Sequence, residues 1–247
     1  MKKNLIVLFS CIFFSCTDHG QNQVKSTDEL IAKAIEALGG HDSIKAIHSQ
    51  IWDGHYIEPG YNLIVKAHTE QMRPDYRLIG DGATPTFAEG YNNGKTWEYS
   101  KERGITWSTG EAEAATRRGA EFDLPFIDWK EKRHEPEFKG MKQIENRNYY
   151  ELKIKMKDGW IVSYFFDTHS FLPVYLRKAM PLHAVGNDID YLVTLTDYRR
   201  INGVLLPFSK IERDIRSGKM INATMMDTVI INRKIDTSRF DPLNLIK

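Results

Sequence analysis

The stretch from Tyr149 to Lys178 limits the fold more than any other. It reads YYELKIKMK, DG, WIVSYFFD, THS, FLPVYLRK. Tyr150, Leu152, Ile154 and Met156 alternate with Glu151, Lys153, Lys155 and Lys157, the period of two with which a strand sorts its side chains between two faces. Asp158-Gly159 then supplies the positive φ angles of a tight hairpin turn. In the next strand Trp160, Val162, Tyr164 and Phe166 share one face and Ile161 and Phe165 the other, with only Ser163 between them. A strand apolar on both sides needs a cover on both sides. The domain's helices are one candidate; a second sheet or a ligand is the other.

The N-terminus bears on location. Lys2 and Lys3 precede the ten-residue apolar run Leu5 to Phe14, too short to span a bilayer as a helix and suited to a secretory signal. Ser15-Cys16 follows and resembles the lipobox of bacterial lipoproteins, in which the signal is cut before the Cys and the new N-terminal Cys is lipidated; Phe13 stands where Leu is usual. The plainer alternative is an ordinary signal peptide with Cys16 an unused thiol. Cys11 and Cys16 are the only cysteines, so cleavage before Cys16 leaves no disulfide and an exported fold that relies on its core. It also removes two lysines, taking the formal charge from +1 to −1, and neither value points to nucleic acid. The expected layout is a signal peptide over 1–15, a polar tether over 16–25 and a single domain over 26–247.

Ser26 and Glu29 fit a capping box. Leu30, Ile31, Ala34, Ile35 and Leu38 then fall on one helical face, ended by Gly39-Gly40. Asp42 reads as the cap of a second short helix, Ser43 to Ile47. From His48 the pattern is β. The first candidate strands are His48–Ile57, Tyr61–Met72, Tyr76–Ile79 and Thr86–Tyr91, with Thr96–Ser100 across Asn93-Gly94 and then Ile105–Ser108. Glu111 to Arg118 has helical composition; Phe122 to Glu137 reads as a long crossing loop with a short helix near Phe126–Lys130. The second half is a meander of Phe138–Ile144, Tyr149–Lys157, Trp160–Asp167, Val174–Met180, Ile189–Ile201, Val204–Asp214 and Lys219–Asn232, with Pro207 implying an edge or bulge. Strands in up-and-down order tend to curl into a barrel or half-barrel.

The strings EALGG, YNNGKTWEY, MKDGWIVSYFFDTHSFLPVYLRK, TDYRRINGVLLPF and NRKIDTSRFDP occur in this order. Over roughly residues 27–243 the chain resembles the LolA/LolB-like lipoprotein-carrier superfamily, most closely its outer-membrane lipoprotein-sorting-protein-like branch. The resemblance implies a mainly β (α+β) fold: a curved antiparallel sheet forming an incomplete barrel, covered by N-terminal and mid-chain helices around an apolar cavity. In the carriers that cavity shelters the acyl chains of a lipoprotein. A chain with its own lipid departs from a soluble shuttle and fits a receptor-like role. Arg73 lies in QMRPDYR, but no residue matches a carrier's functional arginine.

The aromatic residues are the best binding signal, since Trp and Tyr offer an apolar body with a polar tip. Trp52, Tyr56, Trp97, Trp107, Trp160, Tyr164 and Phe166 are the candidate lining; core filling is the commoner role for any one of them. Burying a sixteen-carbon chain such as palmitate is worth about 13 kcal/mol at ~0.8 per methylene. Half burial leaves about 6, less the cost of ordering, which suits reversible holding. No HExxH, GxSxG or Cys/His ligand spacing is present, so no catalytic residue, metal or cofactor is assigned. The basic cluster Arg117-Arg118 and Lys130-Glu131-Lys132-Arg133 reads as a solvated face or as a contact for anionic lipid heads.

Three functions fit. The first is a noncatalytic lipoprotein, anchored through Cys16 and facing the periplasm from the outer membrane, that binds an acyl chain or another lipoprotein's lipid and leaves room for an envelope protein partner. The second is an envelope hydrolase acting on lipid or glycan, with turn aspartates and a histidine as acid and base. The third is a structural module filled by its own side chains.

Overall fold

The computed structural model describes residues 23–181 and 188–245, with side chains omitted over 179–189. Cys16, the expected signal peptide and most of the loop before Asp188 lie outside them. Two helices lead in, α1 (Thr27–Leu38) and α2 (His41–Lys45). A first meander follows: β1 (Ser49–Glu58), β2 (Leu63–Met72), β3 (Tyr76–Gly80), β4 (Phe87–Asn92), β5 (Lys95–Ser100) and β6 (Gly104–Trp107). Helix α3 (Gly110–Ala120) and an irregular segment lead to a second meander. It comprises β7 (Glu135–Ile144), β8 (Arg147–Lys155), β9 (Ile161–Asp167), β10 (Pro173–Pro181), β11 (Asp188–Ile201), β12 (Val204–Asp214) and β13 (Met220–Ile231).

All thirteen strands form one antiparallel sheet in the order β6-β5-β4-β3-β2-β1-β13-β12-β11-β10-β9-β8-β7. Each meander is a sheet wing; the two are sewn together where β1 pairs with β13, from Gln50↔Ile231 to Ile57↔Ala223. The sheet is open, with β6 and β7 as its free edges. The crossing segment carries the chain from one edge to the other. No helix forms over Phe126–Lys130; that stretch is a series of turns, and β7 starts earlier than Phe138. Pro136 lies inside β7, where an edge strand has no second neighbour to miss its N–H. Pro207 is tolerated in a central strand because β12 pairs there only with β11, and its ladder to β13 begins at Ser209.

Local chemistry explains the elements. Ser26 Oγ accepts the Glu29 N–H (3.1 Å), while Glu29's carboxylate accepts from the Lys25 N–H rather than from Ser26. Leu30, Ile31, Ala34 and Leu38 are buried, as the helical period requires. Val24 is buried with them, so the packed fold already includes part of the expected tether. Helix α2 starts at His41 behind Gly40, with no side-chain cap; Asp42 is not its N-cap. Gly39 (φ 126°) makes the bend, and a Cβ there would meet the carbonyl oxygen of Gly203 at 2.4 Å. The turns at Asn93-Gly94 and Asn202-Gly203 carry positive φ at both residues. At Asp158-Gly159 only the glycine does (φ 87°), and Asp158 instead accepts the Trp160 N–H (3.1 Å).

The main core lies between α1, α2 and the inner face of β8, β9 and β12. There Phe126 from the crossing segment sits edge-on to Tyr164 and Phe166, 5.4 Å from each. Among the described residues the outer face of β9 has no second layer. Phe165 is covered by Tyr149 and Tyr175 of the flanking strands, and Ile161 stays 45% exposed. The C-terminal tail packs on the outer face of the first wing, where Phe240 joins Leu78, Ala88, Trp97 and Tyr99.

Candidate functional site

Residues paired directly across neighbouring strands share a face, so the register sorts the candidates. Tyr164 pairs with Leu176, Leu176 with Val193, and Val193 with Glu212. Two residues along, Lys178 pairs with Tyr191. Lys210 pairs with Thr224, and Thr224 with Tyr56. Tyr56 shares its side with Trp52, and through Gln50↔Gln71↔Arg77 with Arg77 of β3. All of these look into one trough, the helix-bearing inner side of the sheet. Trp97 and Trp107 do not: they pair with each other in register with Leu78 and Gly90, on the outer side.

Trp97 is fully buried against Gly90, where a Cβ would lie 2.2 Å from its ring, and it donates Nε1–H to the Phe240 carbonyl (3.0 Å). Trp107 is 51% exposed on edge strand β6. These two leave the lining set, because a strand's parity decides the face whatever the residue type. Trp160 packs at the core's margin under the Arg118 guanidinium, 4.8 Å from the ring. Tyr164 and Phe166 interlock with Phe126 and leave no room at that end. Burial raises the Tyr164 hydroxyl's pKa far above the phenolic range.

Along the trough the floor changes from apolar to polar. Trp52 lies edge-on to Phe208 at 5.1 Å, and Ala67, Val193 and Leu195 are buried nearby. Toward the ends of β10, β11 and β12 a charged group interrupts the apolar surface. Glu212 Oε1 accepts from Lys178 Nζ (3.2 Å) and lies 2.7 Å from Lys210 Nζ; Glu212 Oε2 accepts from Asn222 Nδ2 (3.3 Å). Burial alone would raise the Glu212 carboxyl, but Lys210 and Lys178 overrule it and hold it down at about 2. The tips of the hairpins at this end are greasy: Tyr61, Leu63, Ile64, Ile215 and Met220 are all exposed.

Helix α3 and the crossing segment bridge the two wings over the trough. Arg118 Nη1 donates to Asp158 (2.8 Å), and Gln71 Nε2 to the Gly119 carbonyl (3.4 Å). Lys132 Nζ donates to the carbonyls of Asp123 and Leu124 (2.8 and 3.0 Å), and Arg117 lies 3.7 Å from Glu113. Within the basic cluster Arg118 and Lys132 are therefore engaged inside the fold, while Arg117 makes a half-exposed pair and Lys130 and Arg133 stay exposed. Arg73 ties α2 to the sheet: its guanidinium grips Asp123 with two 2.6 Å bonds, donates from Nε to the Ile47 carbonyl (2.8 Å), and lies over Phe122 at 4.4 Å. Lys45 bonds Asp123 (2.9 Å) and Asp128 (2.6 Å) in the same cluster. Burial disfavours the Asp123 carboxylate, but Arg73 and Lys45 hold its pKa below the usual range.

Asp167, one of the turn aspartates considered for acid–base work, is spent on its turn. It accepts the backbone N–H groups of His169 (3.1 Å) and Ser170 (2.7 Å) and the Ser170 hydroxyl (2.9 Å). Beside it, Met141, Arg147, Asn148, Tyr150, Asp167, Thr168 and His169 line an open depression of about 440 Å³. The charged group in the trough went unread in the sequence. Its signal was there: Lys178 two after Leu176, and Lys210 and Glu212 two and four after Phe208, are charges on the apolar parity of their strands.

No family model matches the sequence, and no curated protein matches it either. Solved structures do. A DUF1329 family protein from Desulfovibrio piger superposes with a TM-score of 0.64 at 12% identity, over 90% of this chain and 100% of that one. A LolA superfamily protein from Nitrosomonas europaea gives 0.58 at 13%, over 88% and 98%. An outer membrane lipoprotein-sorting protein domain from Vibrio parahaemolyticus gives 0.60 at 10%, over 89% and 97%. At such identities the likeness is one of architecture, and that architecture is the LolA-like open half-barrel.

Proposed function

We propose that this chain is a membrane-anchored periplasmic lipoprotein that binds an acyl chain, of a lipid or of another lipoprotein, in the trough of its half-barrel and performs no chemistry on it. One observation carries the reading. The inner face of an open sheet stays apolar past the end of the helical core, from Val193 and Leu195 to Trp52, Phe208 and Ala67. A sheet that served only as a scaffold would have no need of apolar floor beyond the reach of α1. The greasy hairpin tips at the same end support exchange with a lipid surface. So does the shared architecture with a protein named for lipoprotein sorting.

Anchoring is part of the proposal. Residues 1–15 are the signal, Cys16 carries the lipid, and the outer membrane is the expected site. No helix among the described residues is long and apolar enough to cross a membrane. The Cys16→Ala variant is expected to leave the membrane fraction; continued sedimentation with membranes refutes the anchor. For the binding itself, organic extracts of protein purified without detergent are analysed by mass spectrometry. Stoichiometric acyl lipid is expected, and lipid-free extracts from protein that also fails to take up added palmitate would refute the reading.

A further inference from the structure

The sheet ends in two unlike edges. β7 is guarded as exposed edges usually are. Pro136 lies inside it, its register shifts between Phe138 and Met141 around Gly140 (φ 79°), and Glu135, Glu137, Lys139 and Lys142 line it. β6 carries none of these devices. Gly104, Ile105, Thr106 and Trp107 hold no charge and no proline, their ladder to β5 runs in unbroken register, and Trp107 is half exposed. Helix α3 follows at once and turns back over β3, β4 and β5.

The backbone of β6 shows what this edge offers. Ser108 donates its N–H to the Thr96 carbonyl (3.0 Å). Alternate residues of an antiparallel strand bond the same neighbour, so Gly104, Thr106 and Ser108 serve β5. The N–H and C=O groups of Ile105 and Trp107 therefore point outward from the sheet. That set is complementary to itself. With a two-fold axis at Thr106, Ile105 exchanges both its bonds with the partner's Trp107, Trp107 does the same with the partner's Ile105, and no outward group of the strand is left over.

Side chains fit the same register. Ile105 and Trp107 share the outer face with Tyr99 and Trp97, so each half-exposed indole would lie across the partner's Ile105, an aromatic to β-branched pair of the kind that stabilises sheets. On the inner face Thr106 would meet the partner's Thr106. Charges agree at both ends of the strand. The exposed turn Lys101-Glu102-Arg103, with a net charge of +1, is brought toward the partner's first turn of α3, which carries Glu111 and Glu113.

We propose that β6 is a docking edge for a second copy of this chain, joined antiparallel about a two-fold axis at Thr106 so that the two sheets run on as one. The interface is small, below the roughly 1,200–2,000 Å² of a stable complex. The pair is therefore weak in dilute solution and forms where copies are concentrated, as on a membrane surface. It does not depend on what the trough binds.

The test is a cysteine at the axis. Residues facing each other at a non-hydrogen-bonded antiparallel position have Cα atoms about 4.5 Å apart, within disulfide range. The full chain carrying Thr106→Cys is oxidised with copper phenanthroline, both in cell envelopes and after purification, and run on non-reducing gels. The parent chain controls for its natural cysteines, and Lys142→Cys on β7 controls for random collision. A product of doubled mass is expected from Thr106→Cys in both settings and from neither control. Adding Trp107→Lys should lower its yield roughly tenfold, because two cross-strand pairs are lost per dimer, with urea midpoints confirming that the variants are folded. A Thr106→Cys yield no higher than that of the controls overturns the proposal. Dimer that survives Trp107→Lys undiminished overturns the register. Adducts of Thr106→Cys with other envelope proteins, without the doubled product, assign the edge to a different partner and overturn the second copy.

Discussion

At the scale of single residues, the trough and the outer wall each hold a charge whose environment fixes its protonation. Glu212 balances two ammonium groups, so Glu212→Gln should cost about 3 kcal/mol in urea unfolding at pH 7, the lower end for a broken buried pair because Lys210 is partly solvated. The carboxyl titrates near 4.5 when unfolded and at about 2 when folded. Its contribution is complete above 4.5 and is lost as pH falls toward 2; the Gln variant should lack that part of the acid limb. His68, on the outer wall, works in the opposite sense. Its Nδ1 lies 2.7 Å from Asp53 and its Nε2 2.9 Å from Glu70, and these two carboxylates, Glu70 first, raise its pKa above 6.5 against the effect of burial. A raised folded value means stability that is complete below 6.5 and lost as pH climbs through the folded pKa. Urea midpoints should decline over that range in the parent and stay flat in His68→Gln.

At the scale of elements, the fold depends on close approaches more than on intrinsic propensity. Gly39→Ala introduces a Cβ 2.4 Å from the Gly203 carbonyl at a φ of 126°, and should cost more than about 1 kcal/mol, since backbone and contact are both wrong. Phe126→Ala empties the space between Tyr164 and Phe166 and should cost about 3–5 kcal/mol; calorimetry or urea titration reads both. Hairpins were the legible part of this chain. Asn93-Gly94 and Asn202-Gly203 announce their turns, and the alternation in β8 announces its buried face, because both signals are local. The second helix was misplaced because Asp42 looks like a cap, while the glycine pair before it sets the bend. Trp97 and Trp107 were misassigned for a different reason. Aromatic character says that a residue wants cover, and only the register says from which side.

At the scale of the molecule, up-and-down order was readable, and so was a long crossing loop between the two runs of strands, but not that it joins the two edges of one sheet. The seam was not readable either. No local pattern in β1 names β13 as its partner, because the two meet only after the whole chain has been laid down. Protection against hydrogen exchange should follow this layout, slowest in β1, β12 and β13 at the middle of the sheet and fastest in β6 and β7 at its rims. The seam also dictates a sequence of assembly. Either wing can form from neighbouring hairpins as soon as its own strands exist, but the half that begins with β1 must wait with an exposed flank until the last strand arrives. Such distant pairing is slow, so a chain threaded through a membrane from its amino end would remain pliable during passage and become locked only when its final strand slid into the vacant berth beside the first.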